Sequence, residues 1–256
     1  MTSRSVIDLC LFLTKAELAQ RHPGATLGSA WGFVLPLVSV FATWLALDLA
    51  LGLSRIVGPG YGYALVVGLA PWLFVSEAVN ASLGSIRNQP NLVKKTVFPV
   101  ALLPLSTVLA SAAAHVLVIV VLVAALAVAG VTPSGALLTL PFWFLAAVVF
   151  AVSLGVLLAG LNVLFPDMGA IVPSLVSIWF WLTPVVWPLG YVGEGWRLLA
   201  LANPMTSIVE GYRGALLGTS SLDGAVFAAA LISAAAVAGL SLVVFPRVRP
   251  LFADYL

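Results

Sequence analysis

Six apolar runs of about membrane length, parted by short polar breaks, make up most of this chain. They occupy about 31–53, 62–79, 97–128, 137–162, 170–187 and 225–245. A helix rises ~1.5 Å per residue, so roughly twenty apolar residues cross ~30 Å of hydrocarbon, and each run predicts a spanning α-helix. The third is longer than a simple span needs. Loops of soluble-domain size are absent, and no internal repeat is visible. The pattern therefore predicts one all-α integral membrane domain over residues 1–256. It divides into a cytoplasmic interfacial segment (1–30), a bundle of six transmembrane helices (31–246) and a cytoplasmic tail (247–256).

Two stretches depart from this pattern. Between residues 4 and 22, Val6, Leu9, Leu13 and Ala16 recur at near-helical spacing, with Asp8 and Lys15 a heptad apart on another side. Leu11 and Phe12 break the stripe. An amphipathic helix along the inner interface is expected, ending near His22-Pro23-Gly24 and leading through Leu27-Gly28 to an interfacial anchor, Trp31. The second stretch is 187–218, where Pro188, Gly190, Gly193, Gly195, Trp196 and Pro204 interrupt short apolar pieces. It is too polar for a span and too apolar for a solvated loop. Short re-entrant or interfacial helices at the outer face, between spans five and six, satisfy both conditions.

The charged residues are few, 8% of the chain against 62% hydrophobic, so their placement carries weight. A polar island, Arg87-Asn88-Gln89-Pro90-Asn91-Leu92-Val93-Lys94-Lys95, separates spans two and three and closes on Phe98-Pro99 and Leu103-Pro104. Short loops rich in Lys and Arg stay on the cytoplasmic side. With the N-terminus inside, Arg4, Lys15, Arg21, Arg87, Lys94, Lys95, Arg247 and Arg249 are cytoplasmic, and only Arg55, Arg197 and Arg213 lie outside. Both termini are then cytoplasmic, which fits an even number of spans. A cleavable signal is not expected, because Ser5 to Thr14 is short and carries Asp8. The net charge of +2 lends no support to nucleic-acid binding.

Candidate chemistry is sparse. The single cysteine, Cys10, excludes an intramolecular disulfide, and no metal-ligand spacing occurs. No Gly-rich stretch ends in Lys-Ser/Thr, so nucleotide bound for work is expected on another chain. His115 lies in a run of Ala, Val and Leu, where packing or an interhelical hydrogen bond is the favoured reading over a proton relay. Asp48 and Glu77 fall near predicted span ends, where an ion-coupling role is the lesser expectation. Aromatic residues crowd spans one, two and five. Belt and packing roles account for Trp31 and Trp187, whereas mid-span Phe180-Trp181 could stack on the C–H faces of sugar rings.

Several motifs in order along the chain resemble one known family. They are Arg21-His22-Pro23-Gly24-Ala25-Thr26-Leu27-Gly28-Ser29-Ala30-Trp31 with Pro36-Leu37, then Gly68-Leu69-Ala70-Pro71-Trp72-Leu73-Phe74. Next come Asn91-Leu92-Val93-Lys94-Lys95 with Phe98-Pro99 and Leu103-Pro104, and Leu161-Asn162-Val163-Leu164-Phe165-Pro166-Asp167. Trp179-Phe180 to Thr183-Pro184, Asn203-Pro204-Met205 and Tyr212-Arg213 complete the series. The chain is similar to the membrane subunit of type-2 ABC exporters for polysaccharides and polyol phosphates, which move O-antigen, teichoic acid and capsule chains. The likeness covers nearly the whole chain, with His22 where the family often has Tyr and Pro166 where it often has Arg.

The resemblance implies a permease that pairs with itself as a homodimer and with two copies of a cytoplasmic ATPase, in a bacterial cytoplasmic (inner) membrane. The substrate implied is a lipid-linked glycan. This chain would hold no cofactor, with ATP and magnesium bound by the partner ATPase. Coupling to the ATPase falls to Arg87, Asn88, Asn91, Leu92, Lys94 and Lys95. Lys15, Glu17 and Arg21 would belong to a gating interface helix. The conduit would be lined by Phe33, Trp44, Trp179, Phe180 and Trp181, and the outer re-entrant region would hold Asn203, Pro204, Tyr212 and Arg213. Bound lipids are expected around the bundle. The alternatives are a type-2 exporter of drugs or small lipids, a membrane-embedded transferase and an ion-coupled transporter. The transferase would need clustered Asp, Glu or His, and the transporter matched Gly/Pro breaks in two halves.

Overall fold

The computed structural model describes residues 3–21, 30–95, 98–131, 135–187, 189, 193–218 and 224–256, and every regular element among them is helical. Helix α1 (Ser3–Gln20) precedes α2 (Trp31–Trp44), which runs into a π-helical turn, Leu45–Ala50, and then the short α3 (Leu53–Val57). Next come α4 (Tyr61–Leu83), α5 (Pro90–Lys95) and α6 (Leu102–Val128). A 3-10 turn, Gly135–Thr139, leads into α7 (Leu140–Leu164), followed by α8 (Met168–Leu182), α9 (Glu194–Ala202) and α10 (Pro204–Leu217). Helix α11 (Gly224–Val248), a 3-10 turn at Arg249–Leu251 and α12 (Phe252–Tyr255) close the chain.

Among the described residues, four helices are long and apolar enough to cross a membrane: α4, α6, α7 with its leading turn and α11 with its trailing turns. The first and fifth expected spans correspond to shorter apolar helices, Val34–Ala50 and Met168–Leu182. Proline explains two of the shifted boundaries. Pro184 drives the preceding Thr183 into extended backbone (φ −97°, ψ 137°), so α8 ends at Leu182 and not at 187. Helix α6 begins at Leu102, after a turn in which the Leu102 N–H donates to Pro99 O at 2.8 Å, and Pro104 is tolerated in its first turn. The expected turn at His22-Pro23-Gly24 and the Leu27-Gly28 passage lie outside the described residues.

Helix α4 is the most buried of the four long helices and packs against α2, α6, α7, α8 and α10, while α11 lies at the periphery against α7. Small residues permit the close approaches, as in membrane bundles generally. A Cβ on Gly155 of α7 would come within 2.8 Å of the Ser82 Oγ of α4, and one on Gly160 within 3.0 Å of Phe245 on α11. One on Gly211 of α10 would overlap the Trp143 ring at 2.1 Å.

A second, smaller core sits at the Leu83 end of α4, where Ile86, Val100, Leu103, Ala159, Val163, Phe245 and Phe252 are buried together. Residues 247–256, expected as a cytoplasmic tail, stay helical through the 3-10 turn Arg249–Leu251 and α12. Phe252 anchors this stretch to the core: it is 1% exposed and meets the Phe245 ring edge-on at 5.9 Å.

Candidate functional site

At the Leu83 end of α4, one arginine joins three helices. Arg21, just past α1, forms an ion pair with Glu77 of α4 and donates to Thr107 O at 3.2 Å and Ser111 Oγ at 2.7 Å on α6. Val6, Leu9, Leu13 and Ala16, the expected apolar stripe of α1, are half-buried, whereas Ile7, Leu11 and Phe12 are exposed. The two residues that spoiled the stripe thus belong to a second apolar face turned away from the bundle. Lys15 is exposed and Glu17 half-buried. A cavity of about 620 Å³ opens between α1, α2 and α4, bordered by Glu17, Arg21, Leu35, Ser39, Glu77 and Asn80. Asn80 has a buried Oδ1 with no hydrogen-bond partner among the described residues. A second cavity, about 590 Å³, lies beneath α1 against Gln20, Asn88, Gln89, Ser106 and Thr107.

The polar island forms the short helix α5, with Pro90 in its first position, where no N–H is needed. Its faces differ: Asn91 and Lys94 are exposed, while Leu92 and Val93 pack onto the small core that holds Phe252. Arg87 and Asn88, before the helix, are exposed. Lys95 ends α5, and its side chain lies outside the described set, as does that of Phe33 in α2. The exposed Arg247 and Arg249 stand at this same end of the bundle.

The opposite end is organised by Asn203 and Arg213. Asn203 breaks α9 from α10 and caps the latter, its Oδ1 accepting from the Met205 N–H at 3.1 Å, with Pro204 at the first helical position. The same Oδ1 accepts from Trp179 Nε1 at 3.0 Å, and Asn203 Nδ2 donates to Thr183 Oγ1 at 2.9 Å. Arg213 was expected on the outer side, in the re-entrant region. It is 4% exposed and bonds Ala64 O at 2.9 Å, Pro184 O at 2.7 Å, Val185 O at 2.6 Å and Glu210 Oε1 at 2.8 Å. A buried guanidinium is tolerated only when so fully bonded. Gly68 makes room for it, since a Cβ there would lie 2.8 Å from Nη2. The exposed basic residues at this end are therefore Arg55 and Arg197.

The aromatic residues divide. Trp179 and Phe180 turn inward onto Trp72, with ring centroids at 5.4 and 5.5 Å, whereas Trp181 is 62% exposed. Trp44 stands on the far face of α2 from Leu35 and Ser39, its Nε1 bonded to Asp48. The structure thus does not bring Trp44 together with the span-five aromatics. Helices α2 and α8 both pack on α4. At about 100° per residue, Ser76 and Asn80 occupy the α4 arc between Trp72, which meets α8, and Glu77, on the α2 side.

His115 behaves as a packing residue: it stacks on Phe74 at 4.9 Å, and its Nε2 lies 3.2 Å from the Tyr212 hydroxyl. Glu77 and Asp48 are both bonded to neighbours, Arg21 and Trp44 among them. Sequence reasoning missed Thr107, Ser111, Asn80 and Phe252. Each lies in an ordinary apolar or mixed stretch, and only the distant partner that meets it sets it apart.

Residues 8–217 match the ABC-2 type transporter family. Over 207 residues the chain is 30% identical to the O-antigen export system permease protein RfbA of Myxococcus xanthus, covering 80% of this chain and 78% of that one. Over 209 residues it is 27% identical to a protein of the same name from Klebsiella pneumoniae, covering 81% and 80% respectively.

Proposed function

The chain belongs to the ABC-2 type transporter family, and on that premise we propose that it is the membrane subunit of an exporter of an O-antigen-like polysaccharide. The substrate would be lipid-linked and would cross a bacterial cytoplasmic membrane at the expense of ATP. Two copies of the chain pair with two copies of a separate cytoplasmic ATPase, which binds the ATP and magnesium and performs the hydrolysis. The main support is the extent of the likeness, since relatives named for O-antigen export match about four fifths of this chain.

The topology proposed is six spans with both termini in the cytoplasm. Helix α2 and its π-helical turn contribute 14 and 6 residues, together ~30 Å of rise, enough for one crossing. The 15 residues of α8 give ~22 Å, and the turn that follows, entered through the extended Thr183, adds the remainder. The Arg21 end is placed inside because Arg87, Lys94, Arg247 and Arg249 are exposed there, against Arg55 and Arg197 opposite. Helix α5 is the proposed seat of the ATPase. Its exposed Lys94 meets the partner, Lys95 adds a second positive charge to the helix, and Leu92 and Val93 tie it to the bundle.

For the conduit we infer the face between α2 and α8, floored by α4. Ser39, Ser76 and Asn80 offer hydrogen bonds to sugar hydroxyls, and Leu35 and Trp181 offer apolar faces to the ring C–H groups. A lining of mixed polarity suits a glycan better than the drug or small lipid of the alternative reading. In cells lacking this chain, a lipid-linked glycan should accumulate at the inner face of the membrane and vanish from the surface. Loss of the chain with no such build-up would overturn the proposal.

A further inference from the structure

On the face of α2 opposite Leu35 and Ser39, a recess runs lengthwise between α2, α4 and α6. Its deeper part, about 170 Å³, is walled by Leu37, Val40, Phe41, Ala70, Val118 and Val121. Its upper part, about 390 Å³, reaches the Tyr61 end of α4, where Asp48, Ser54 and Tyr63 form a polar rim. Trp44, Val66, Leu122 and Ala125 line both parts, so the two are one groove. Phe41 and Val121 on its walls are largely exposed, and the groove opens sideways to whatever surrounds the bundle. Inside a bilayer that is acyl chain. Water cannot be held along apolar walls without polar partners, and an empty groove forfeits dispersion contacts along its length.

The rim is built around one carboxylate. Asp48 sits in the π-helical turn Leu45–Ala50, closed by a wide bond from the Leu51 N–H to Ala46 O at 3.2 Å. Such turns are rare and often mark functional positions. Trp44 Nε1 donates to Asp48 Oδ2 and the Ser54 N–H to Oδ1, each at 3.0 Å. Gly62 lets the carboxylate approach α4, since a Cβ there would fall 2.4 Å from Oδ2. An ionised carboxylate has about four lone-pair sites, so these two donors leave roughly half of its capacity free. Among the described residues no basic side chain lines the groove, and Arg55, on α3 beside Ser54, is exposed.

We propose that this groove binds a phospholipid with a primary ammonium in its headgroup, one acyl chain lying between α2 and α6 and the ammonium on Asp48. The site is independent of the transported substrate. Trp44, its wall, is the reporter. Protein in phosphatidylcholine nanodiscs doped with brominated-chain phosphatidylethanolamine should lose Trp44 fluorescence, read as the difference between wild type and Trp44→Phe. Half-quenching should need about five- to tenfold less of this lipid than of brominated-chain phosphatidylglycerol. Asp48→Asn should remove the preference while leaving quenching in place, and Ala125→Phe should weaken quenching by both lipids. Equal quenching by the two lipids in wild type, or a preference that survives Asp48→Asn, would overturn the proposal. The wild-type preference can also be read without variants, by native mass spectrometry after lipid exchange, where equal retention of the two lipids would likewise overturn it.

Discussion

Arg213 uses four of its five N–H donors on partners from three separate parts of the chain, and no other side chain can reproduce that geometry. Lysine carries three donors on one point charge and cannot span the Ala64, Pro184 and Val185 carbonyls together. Breaking a buried charge network costs about 3–5 kcal/mol. Arg213→Ala should therefore lower the thermal unfolding midpoint in detergent sharply, with Arg213→Lys in between. Gly68→Ala should act in the same direction, because its new Cβ would crowd Nη2. In the sequence this arginine reads as an outer charge beside Tyr212 in the re-entrant region. Its carbonyl partners leave no mark on sequence, as any residue type supplies a carbonyl, and Ala64 lies 149 positions away. Asn203-Pro204 is different. A capping side chain followed by proline is a local signal, and the helix break it announces is present.

At the scale of elements, α1 and α5 are held by unlike means. Helix α1 lies along α6 on its half-buried stripe and is pinned at its end by the polar contacts of Arg21, so Arg21→Ala should raise hydrogen exchange across residues 5–20 while leaving α6 protected. Glu77→Gln should do less, because the bonds to Thr107 and Ser111 remain. Helix α5 is held by apolar contact with the core around Phe252. Reversing the charge of this helix with Lys94→Glu and Lys95→Glu should uncouple ATP hydrolysis from export without affecting membrane insertion. Phe252→Ala should loosen the seat while leaving those charges intact, cutting transport per ATP hydrolysed. Normal coupling in the charge-reversed protein would count against docking through α5. The island was conspicuous in sequence because its charges interrupt apolar runs. The seat beneath it was not, because Phe252 lies in a stretch that reads as a cytoplasmic tail.

For the whole molecule, the apolar runs located every long helix, since length and hydropathy are local properties. The count of crossings was less legible: α2 and α8 are short by themselves, α2 running on into a π turn and α8 ending where Thr183 becomes extended before Pro184. The aromatic residues of the expected conduit were separated for a similar reason, as a helix of unknown rotation does not reveal which face meets a neighbour. Helix α8 buries only Val172 and Val176, which leaves Leu175 on open surface suited to a second copy of the chain. In a Cys10→Ser background, Leu175→Cys should form cross-linked dimers and Val120→Cys, on α6, should not. The reverse pattern would put the pairing face elsewhere.

The clasp made by Arg213 also fixes an order of events during biogenesis. The carbonyls of Pro184 and Val185, outside any helix, wait for a donor that the ribosome makes only after α9 and most of α10. Chains emerge N-terminus first, so this end of the bundle closes late, after the Arg21 clamp opposite is already available. A nascent chain arrested with residue 202 outside the exit tunnel should remain open to protease at 183–187, and one extended beyond 217 should be protected.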